Sequence, residues 1–355
     1  MARKRILSGN RPSGLLHLGN YVGALQNWVN LQDEYECFFM IADWHALTSE
    51  YTDTSEIEGN IREMLLDWLS VGLDPERSTI FIQSQIKQHA ELSLMLGMFT
   101  PLPWLERCPT YKEQIMEMSN RDLSTDGFLG YPVLQAADIV IYRAGAVPVG
   151  EDQVPHLEFT REVVRRINHI YGKLFPEPQT LLSRVPKLLG TDGRKMSKSY
   201  NNCIYLSDDA ETVRKKVNKM VTDPARVRRT DKGHPEVCSV FSYHRVFNAD
   251  QVPTIERQCR NAEIGCTDCK QNLARAINHL LDPFRRKRQE LQANPEYVRE
   301  VIEKGNAHAR EVAEETMRDV RTALHLLNNI DTLIESLGPA AKKSAGVNPK
   351  QRNRS

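Results

Sequence analysis

The sequence has no apolar run long enough to cross a bilayer. Its N-terminus, "MARKRILSGNRPSG", lacks the apolar segment and the cleavage site of a signal peptide. We therefore expect a cytoplasmic protein without a membrane partner. An excess of one charge is also missing, because 47 Lys and Arg oppose 46 Asp and Glu and leave a net charge of +1. A nucleic-acid partner would then be bound by local basic patches rather than by a positive surface as a whole.

Cysteine is scarce, with 7 in 355 residues, but four of these cysteines are clustered as Cys-x20-Cys-x6-Cys-x2-Cys. They are Cys238, Cys259, Cys266 and Cys269. Disulfides are rare in the cytoplasm, so clustered thiols there more often bind a metal. One Cys-x-x-Cys with two single cysteines is compatible with a zinc ion, with a cubane iron–sulfur cluster or with free thiols.

The first half of the chain alternates short apolar runs with helical patterns. The runs 5–9, 37–43, 78–84 and 138–144 are predicted to be buried strands, and 18–32 is predicted to be a helix. This alternation favours an α/β fold with a doubly wound parallel sheet, in which ligands bind at the carboxyl ends of the strands.

From about residue 200 the strand signal gives way to long charged amphipathic stretches, which predict helices. We expect a Rossmann-like domain over 1–190 and a helical domain over 191–335, whose last helix can pack back on the first domain. The basic segment 336–355 has few apolar residues and is expected to be a disordered tail.

The stretch 8–20, "SGNRPSGLLHLGN", is a Gly/Pro/Ser loop between a predicted strand and a predicted helix. Backbone N–H groups at a helix start form an anion site, and Gly19 allows close approach of a ligand. His17 and Asn20 can donate hydrogen bonds from the same turn. The stretch is therefore predicted to bind phosphate.

A second basic stretch, "GRKMSKS" (193–199), forms a loop after the predicted sheet. Lys195 and Lys198 flank Ser197, and two ammonium groups on a mobile loop suit a polyphosphate whose charge is neutralised in the transition state. In a third stretch, "VPVGEDQVPHLEF", the sequence 150–152 reads Gly-Glu-Asp between a predicted strand and a helix. A carboxylate at this place can bind ribose hydroxyls.

The pairing of "HLGN" with an unaltered "KMSKS" resembles the class I aminoacyl-tRNA synthetases. Asn20 in place of the usual second histidine is typical of their tryptophanyl branch, and "YPVLQAADIVIY" and "VPVGEDQVPHLEFTRE" are similar to that branch as well. The resemblance covers about residues 5–330. It implies a Rossmann-like catalytic domain with ATP and tryptophan sites over 1–190, followed by the KMSKS loop and a helical anticodon-binding domain over 191–335.

The activity that this resemblance implies is that of a tryptophan–tRNA ligase. L-Tryptophan is activated with ATP and Mg²⁺ to tryptophanyl-adenylate, pyrophosphate is released, and the amino acid passes to the 3′-terminal ribose of tRNA(Trp). The catalytic residues implied are His17, Asn20, Lys195 and Lys198. The ATP-binding residues implied are Arg11, Pro12, Ser13, Gly19, Asn20, Gly150, Glu151, Asp152, Val185, Lys195, Met196, Ser197, Lys198 and Ser199. The tryptophan-binding residues implied are Asp138, Tyr131, Gln153, Gln135, Val147, Val149, Leu7 and His45.

Two positions depart from the usual pattern of this family. Gln135 stands where many members have Met, and Arg11 stands where many have Gln. His45 can equally be a packed polar residue. The main alternative is a tyrosine–tRNA ligase, because Tyr, Gln and Asp at the spacing of "YPVLQAAD" also serve a tyrosine pocket. A nucleotidylyltransferase without tRNA chemistry and a non-catalytic RNA-binding paralogue are two further alternatives.

For the four clustered cysteines, the resemblance favours a [4Fe–4S] cluster in the anticodon-binding domain, with Zn²⁺ as the alternative. The first spacing is two residues shorter than the usual one, which puts the role of Cys238 in doubt. The family also implies a homodimer, with one tRNA spanning both subunits.

Overall fold

The computed structural model describes residues 3–108, 123–150, 153–182, 188–194, 196 and 200–336. Its centre is a five-stranded parallel sheet with the strand order β3-β2-β1-β4-β5. The strands are Arg5–Asn10 (β1), Glu36–Ile41 (β2), Ser78–Ile82 (β3), Ala146–Val149 (β4) and Gln179–Leu182 (β5). The order reverses between β1 and β4, as it does in a doubly wound Rossmann-like sheet. The expected α/β fold is confirmed.

Helices cover both faces of this sheet and form most of the chain after residue 200. The helices before that point are Leu18–Asn20 (α1), Gln26–Leu31 (α2), Asp43–Glu50 (α3), Ile57–Ser70 (α4), Gln88–Phe99 (α5), Leu102–Glu106 (α6), Asp126–Ile141 (α7) and Val154–Tyr171 (α8). Those after it are Ala210–Asn218 (α9), Ser239–Phe247 (α10), Val252–Arg260 (α11), Cys266–Ala293 (α12), Pro295–Ala323 (α13) and Ile330–Ser336 (α14). None of the helices in the described part of the chain is long and apolar enough to cross a membrane.

The predicted strand over 138–144 is wrong. Residues 138–141 form the end of α7, and the strand that follows is the shorter β4. The reason is burial, because α7 packs against α5 and α8 and ten of its residues are buried. A helix that is apolar on most sides has no 3.6-residue pattern, so its sequence cannot be distinguished from that of a buried strand.

The helical stretch that follows β1 begins at a reciprocal cap. Asn20 N–H donates to Nδ1 of His17 at 3.3 Å, and His17 N–H donates to Oδ1 of Asn20 at 3.0 Å. Between α1 and α2 the chain makes one π-helical turn over Tyr21–Leu25. Single π turns inside helices are frequent at functional sites.

The long helix α13 covers the β3 edge of the sheet. A Cβ added at Gly305 would lie 1.9 Å from the carbonyl oxygen of Ile80, so only glycine permits this approach. The Oδ1 atom of Asn306 accepts the N–H of Ile82 at 3.0 Å, which uses a backbone donor at that edge. Because α13 covers this edge of β3, the edge cannot pair with a strand of another chain.

A buried ion pair ties α12 to α4. The guanidinium of Arg288 donates to the carboxylates of Asp67 and Glu63, and Arg288 and Asp67 are 8% and 2% exposed. Burial raises the pKa of Asp67 to about 7, while Arg288 lowers it. Arg288 therefore stabilises the ionised form of the buried Asp67 carboxylate.

We expect Arg288→Ala to lower the free energy of unfolding by about 3–5 kcal/mol, because a buried carboxylate loses its partner. Protonation of Asp67 relieves part of that cost, so the loss should be larger at pH 8 than at pH 6. Urea unfolding at pH 6 and at pH 8 measures this loss in the free energy of unfolding. Arg286→Ala, an exposed position on the same helix, is the control. Equal stability of the two variants would contradict the prediction.

Candidate active site

A cavity of about 370 Å³ opens at the carboxyl ends of β1, β2 and β4. The chain from Leu7 to Arg11 lines it along and beyond β1, Ala42 lines it beyond β2, and Val147 to Gly150 lines it along and beyond β4. Carboxyl ends of parallel strands share one edge, and this sheet reverses its order between β1 and β4. The cavity therefore lies at the topological switch point, where ligands of doubly wound sheets bind.

One carboxylate, that of Asp138 on α7, lies in the wall of this cavity and is 1% exposed. Nε2 of His45 is 2.7 Å from Oδ2, and Nδ1 of His89 is 2.6 Å from Oδ1. Nε2 of Gln83 donates to both oxygens at 2.8 and 3.0 Å. Burial alone would raise the pKa of Asp138, but the hydrogen bonds from the two histidines outweigh it and lower the pKa to about 2. The cavity thus contains a permanently ionised acceptor.

A second polar group lines another part of the cavity wall. The hydroxyl of Tyr131 on α7 lies 2.7 Å from Nε2 of His156, and both residues line the cavity together with Gln153. The thiol of Cys108 lies 3.8 Å from Nδ1 of His156 on the far side of that ring. The hydroxyl, imidazole and amide can hold the polar end of a small ligand whose apolar part lies elsewhere.

The two basic motifs predicted to bind phosphate come together in the structure. Residues on either side of His17 pair with the strand-like segment after the second motif, through Leu18 N–H to Ile204 O and Leu206 N–H to Leu16 O, both at 2.9 Å. Met196 belongs to KMSKS, and its sulfur would lie 3.3 Å from a Cβ added at Gly19. The glycine of the first motif therefore lies against the methionine of the second.

The base of the KMSKS loop is organised by Asp192. Its carboxylate accepts the N–H of Arg194 at 3.0 Å and the side-chain amide of Asn202 at 2.8 Å. The hydrogen bond from the Asn202 amide, together with the hydrogen bonds and charge of Arg194, lowers the pKa of Asp192 to about 2, although burial acts to raise it. Seven of the predicted ATP-binding residues lie outside the described residues. They are Glu151, Asp152, Val185, Lys195, Ser197, Lys198 and Ser199.

All eight residues predicted to bind tryptophan line the cavity. These are Leu7, His45, Tyr131, Gln135, Asp138, Val147, Val149 and Gln153. Arg11 and Gly150 also line it, whereas the other described residues of the predicted phosphate site lie outside its lining. These are Pro12, Ser13, His17, Gly19, Asn20 and Met196.

Sequence reasoning missed three residues of this site, namely Gln83, His89 and His156. Gln83 follows β3 directly, just as other polar residues of the site follow the neighbouring strands. A polar residue directly after a predicted strand is therefore a sequence feature that indicates a place at this site. His156 belongs to the "GEDQVPH" stretch and was not singled out. His89 lies within α5, and nothing in the sequence places it against a residue 49 positions away.

The four clustered cysteines lie in one region of the helical part, and none forms a disulfide. Burial and then the charges of Cys238, Cys259 and Cys266 raise the pKa of Cys269 to about 12. Among the residues that the structure describes, no three His, Cys, Asp or Glu side chains are grouped closely enough to hold a metal ion. The buried guanidinium of Arg226 lies 3.7 Å from the sulfur of Cys259.

Comparison with known proteins gives consistent results over most of the chain. The family model described as tRNA synthetases class I (W and Y) matches residues 2–282. The chain is 52% identical to the tryptophan–tRNA ligase of Thermotoga maritima, with 91% of this chain and 99% of that protein covered. It is 46% identical to the tryptophan–tRNA ligase of Aquifex aeolicus, with 91% and 100% covered.

A solved structure agrees with these relatives. The crystal structure of tryptophanyl-tRNA synthetase from Campylobacter jejuni, complexed with ADP and tryptophan, is 33% identical with a TM-score of 0.83. It covers 91% of this chain and 100% of that one. A tyrosyl-tRNA synthetase from Archaeoglobus fulgidus, 23% identical with a TM-score of 0.63, shares the fold alone. The chain belongs to the tryptophanyl-tRNA synthetases, the class I enzymes that ligate tryptophan to tRNA.

Proposed function

We propose that the cavity at the switch point binds tryptophan and that Asp138 accepts the indole N–H. The observation that carries this proposal is the buried, ionised carboxylate of Asp138 within a wall that also contains Val147 and Leu7. A ring without an N–H would place an apolar edge against that charged acceptor without a hydrogen bond, so it would be rejected. Val149 and Gln135 complete the indole slot, with His45 at its edge.

The amino-acid end of the substrate then points toward the second polar group. Tyr131 and Gln153 are placed to bind the ammonium and carboxylate groups, and His156 fixes the Tyr131 hydroxyl at 2.7 Å. In this orientation the substrate carboxylate would face Gly150 and Arg11, which also line the cavity. ATP would approach from that side, with its ribose held by Asp152 and its adenine framed by Val185 and by the Arg11–Ser13 loop.

The reaction needs no protein nucleophile, because the substrate carboxylate is already ionised. A carboxylate oxygen attacks the α-phosphate of ATP, the bond from the α-phosphorus to the bridging oxygen breaks, and pyrophosphate leaves. We propose that His17 and Asn20 stabilise the charge on the α-phosphate, while Lys195 and Lys198 bind the leaving pyrophosphate. Mg²⁺ would share that negative charge. A ribose hydroxyl of tRNA then attacks the adenylate carbonyl and releases AMP.

Tryptophan-dependent exchange of pyrophosphate into ATP tests this reading of the cavity. Exchange supported by tryptophan and not by tyrosine, followed by charging of tRNA(Trp), would agree with it. Exchange supported by tyrosine would assign the cavity to the other amino acid. Exchange without charging would instead favour a role in adenylate formation or amino-acid sensing alone.

The whole chain is then a cytoplasmic enzyme of protein synthesis, with three parts. We propose a catalytic domain over 1–190, an anticodon-binding helical domain over 191–335 and a basic tail over 336–355.

A homodimer is supported by an apolar face on α5, where Leu94 and Met98 are 65% and 71% exposed at a helical spacing of four. Leu94→Lys with Met98→Lys should yield a monomer in sedimentation equilibrium.

We further propose that the four clustered cysteines bind a [4Fe–4S] cluster, with Zn²⁺ as the alternative. The Nε atom of Arg226 finds no hydrogen-bond partner among the described residues, although the side chain is only 9% exposed. A buried guanidinium needs negative charge nearby, and four thiolates around a cluster would supply it. A cubane is larger than one ion, so its thiolates stand further apart than zinc ligands do. When bound, the cluster would supply a rigid cross-link between α10, α11 and α12.

Iron, zinc and acid-labile sulfide per chain, measured after anaerobic purification, test the proposed cluster. We expect about four irons and four sulfides with a brown absorption band. Cys266→Ser should lose most of the iron, whereas Cys203→Ser, at a buried cysteine outside the group, should retain it. About one zinc without sulfide would replace the cluster with a structural zinc site.

A further inference from the structure

Two buried side chains hold Asp138 from the side that faces away from the cavity. His89 and Gln83 are both 0% exposed, and neither lines the cavity, whereas Asp138 and His45 do. The contact from His89 Nδ1 to Asp138 Oδ1, at 2.6 Å, is the shortest of those that the carboxylate makes. The orientation of Asp138 is thus set by residues that a substrate in the cavity does not touch.

The proton on His89 can be assigned from its partners. A carboxylate only accepts, so Nδ1 of His89 carries the proton that is shared with Asp138. Nε2 lies 2.7 Å from the hydroxyl oxygen of Tyr142, which is fully buried. Burial and then the charge of Asp138 raise the pKa of Tyr142 well above its usual value, so Tyr142 keeps its proton. The Tyr142 hydroxyl therefore holds the Nε2 side of the His89 ring, while Nδ1 donates to Asp138.

Three donors of the protein hold the carboxylate. An ionised carboxylate offers about four acceptor positions. His89 uses one on Oδ1, His45 uses one on Oδ2, and the Gln83 amide bridges both oxygens from behind. Asp138 lines the cavity, so the N–H of a bound ring would reach the carboxylate from that side.

We propose that His89 is a positioning residue for amino-acid recognition, which fixes the charge and orientation of Asp138 so that only a ring bearing an N–H is accepted. The inference rests on the proposed role of Asp138 as the indole acceptor. His89 touches no substrate and acts through Asp138, with Tyr142 hydrogen-bonded to its other ring nitrogen. Its loss should therefore change the choice between amino acids rather than the binding of ATP.

A matched pair of variants separates this role from simple packing. The amide of His89→Asn can reach the place of Nδ1 and donate to Asp138, whereas that of His89→Gln reaches the place of Nε2. The probes are tryptophan and benzothienylalanine, in which sulfur replaces the ring N–H. The readout is the ratio of their kcat/KM values in pyrophosphate exchange. We expect His89→Gln to lower this ratio about 10- to 100-fold and His89→Asn to stay within about threefold of the native ratio, with KM for ATP unchanged in both.

Equal loss of activity toward both amino acids, or the same ratio in the Asn and Gln variants, would overturn the inference. Asp138→Asn, measured in parallel, separates it from the proposal on which it rests. If Asp138→Asn leaves the ratio unchanged, the role of Asp138 is wrong and that of His89 falls with it. If Asp138→Asn collapses the ratio while His89→Gln does not, only the role of His89 is wrong.

Discussion

Asp138→Asn is expected to lower kcat/KM for tryptophan about 10³-fold, which corresponds to about 4 kcal/mol of transition-state stabilisation. Two effects add. The charged acceptor for the indole N–H is replaced by a neutral one. The new amide also carries N–H groups of its own, which face other hydrogen-bond donors and find no acceptor among them. Those donors are His45, His89 and Gln83, each within hydrogen-bonding distance of the carboxylate. The substitution is nearly isosteric, so the loss reports hydrogen bonding and not volume.

Pyrophosphate exchange at saturating ATP measures this effect, and the KM for ATP should change little because Asp138 lies at the amino-acid end of the cavity. Asp126→Asn is the matched control, since it makes the same change on an exposed residue of the same helix. A variant that retains native kcat/KM for tryptophan would remove Asp138 from the recognition of indole. Another polar group of the cavity would then have to accept the indole N–H.

The fold and most of the cavity could be predicted because both depend on short-range sequence signals. Strands β1, β2 and β3 are short apolar runs that turn polar at their carboxyl ends, so residues there could be assigned to the site. β4 and the end of α7 could not be separated, because both are buried and apolar. The role predicted for Asp138 does not depend on that distinction, because the resemblance assigns it from the motif and not from the secondary structure.

The residues behind the site could not be predicted for a different physical reason. His89 and Tyr142 act through a contact that spans 53 residues, and an isolated histidine in an apolar helix gives no sign of its partner. Arg288 likewise reads as one cation in a basic run, although it is buried against Asp67 from a helix 221 positions earlier. Long-range pairing of polar groups is decided by packing, and the local sequence does not record it.

Lys198→Ala is expected to lower kcat for pyrophosphate exchange about 10²- to 10³-fold, with a much smaller change in KM for tryptophan. In sequence Lys198 lies between Asp192 and Asn202, and the side chains of these two residues hydrogen-bond to each other. Met196 of the same loop packs against Gly19 of the first motif. The described part of the loop is therefore anchored at its base and in contact with the phosphate motif. We propose that the ammonium groups of Lys195 and Lys198 close over the pyrophosphate as charge moves onto it.

The kinetic pattern distinguishes that role from ordinary binding. A lysine that bound ATP equally in the ground and transition states would raise KM for ATP and leave kcat unchanged, whereas one that stabilises the leaving pyrophosphate lowers kcat. Lys173→Ala removes a cation from an exposed position outside both motifs and should leave both constants at native values. An unchanged kcat in Lys198→Ala would contradict the assignment and would leave Lys195, with Mg²⁺, to neutralise the leaving group. A fall in kcat that exceeds the change in either KM would show that the motif acts on the transition state.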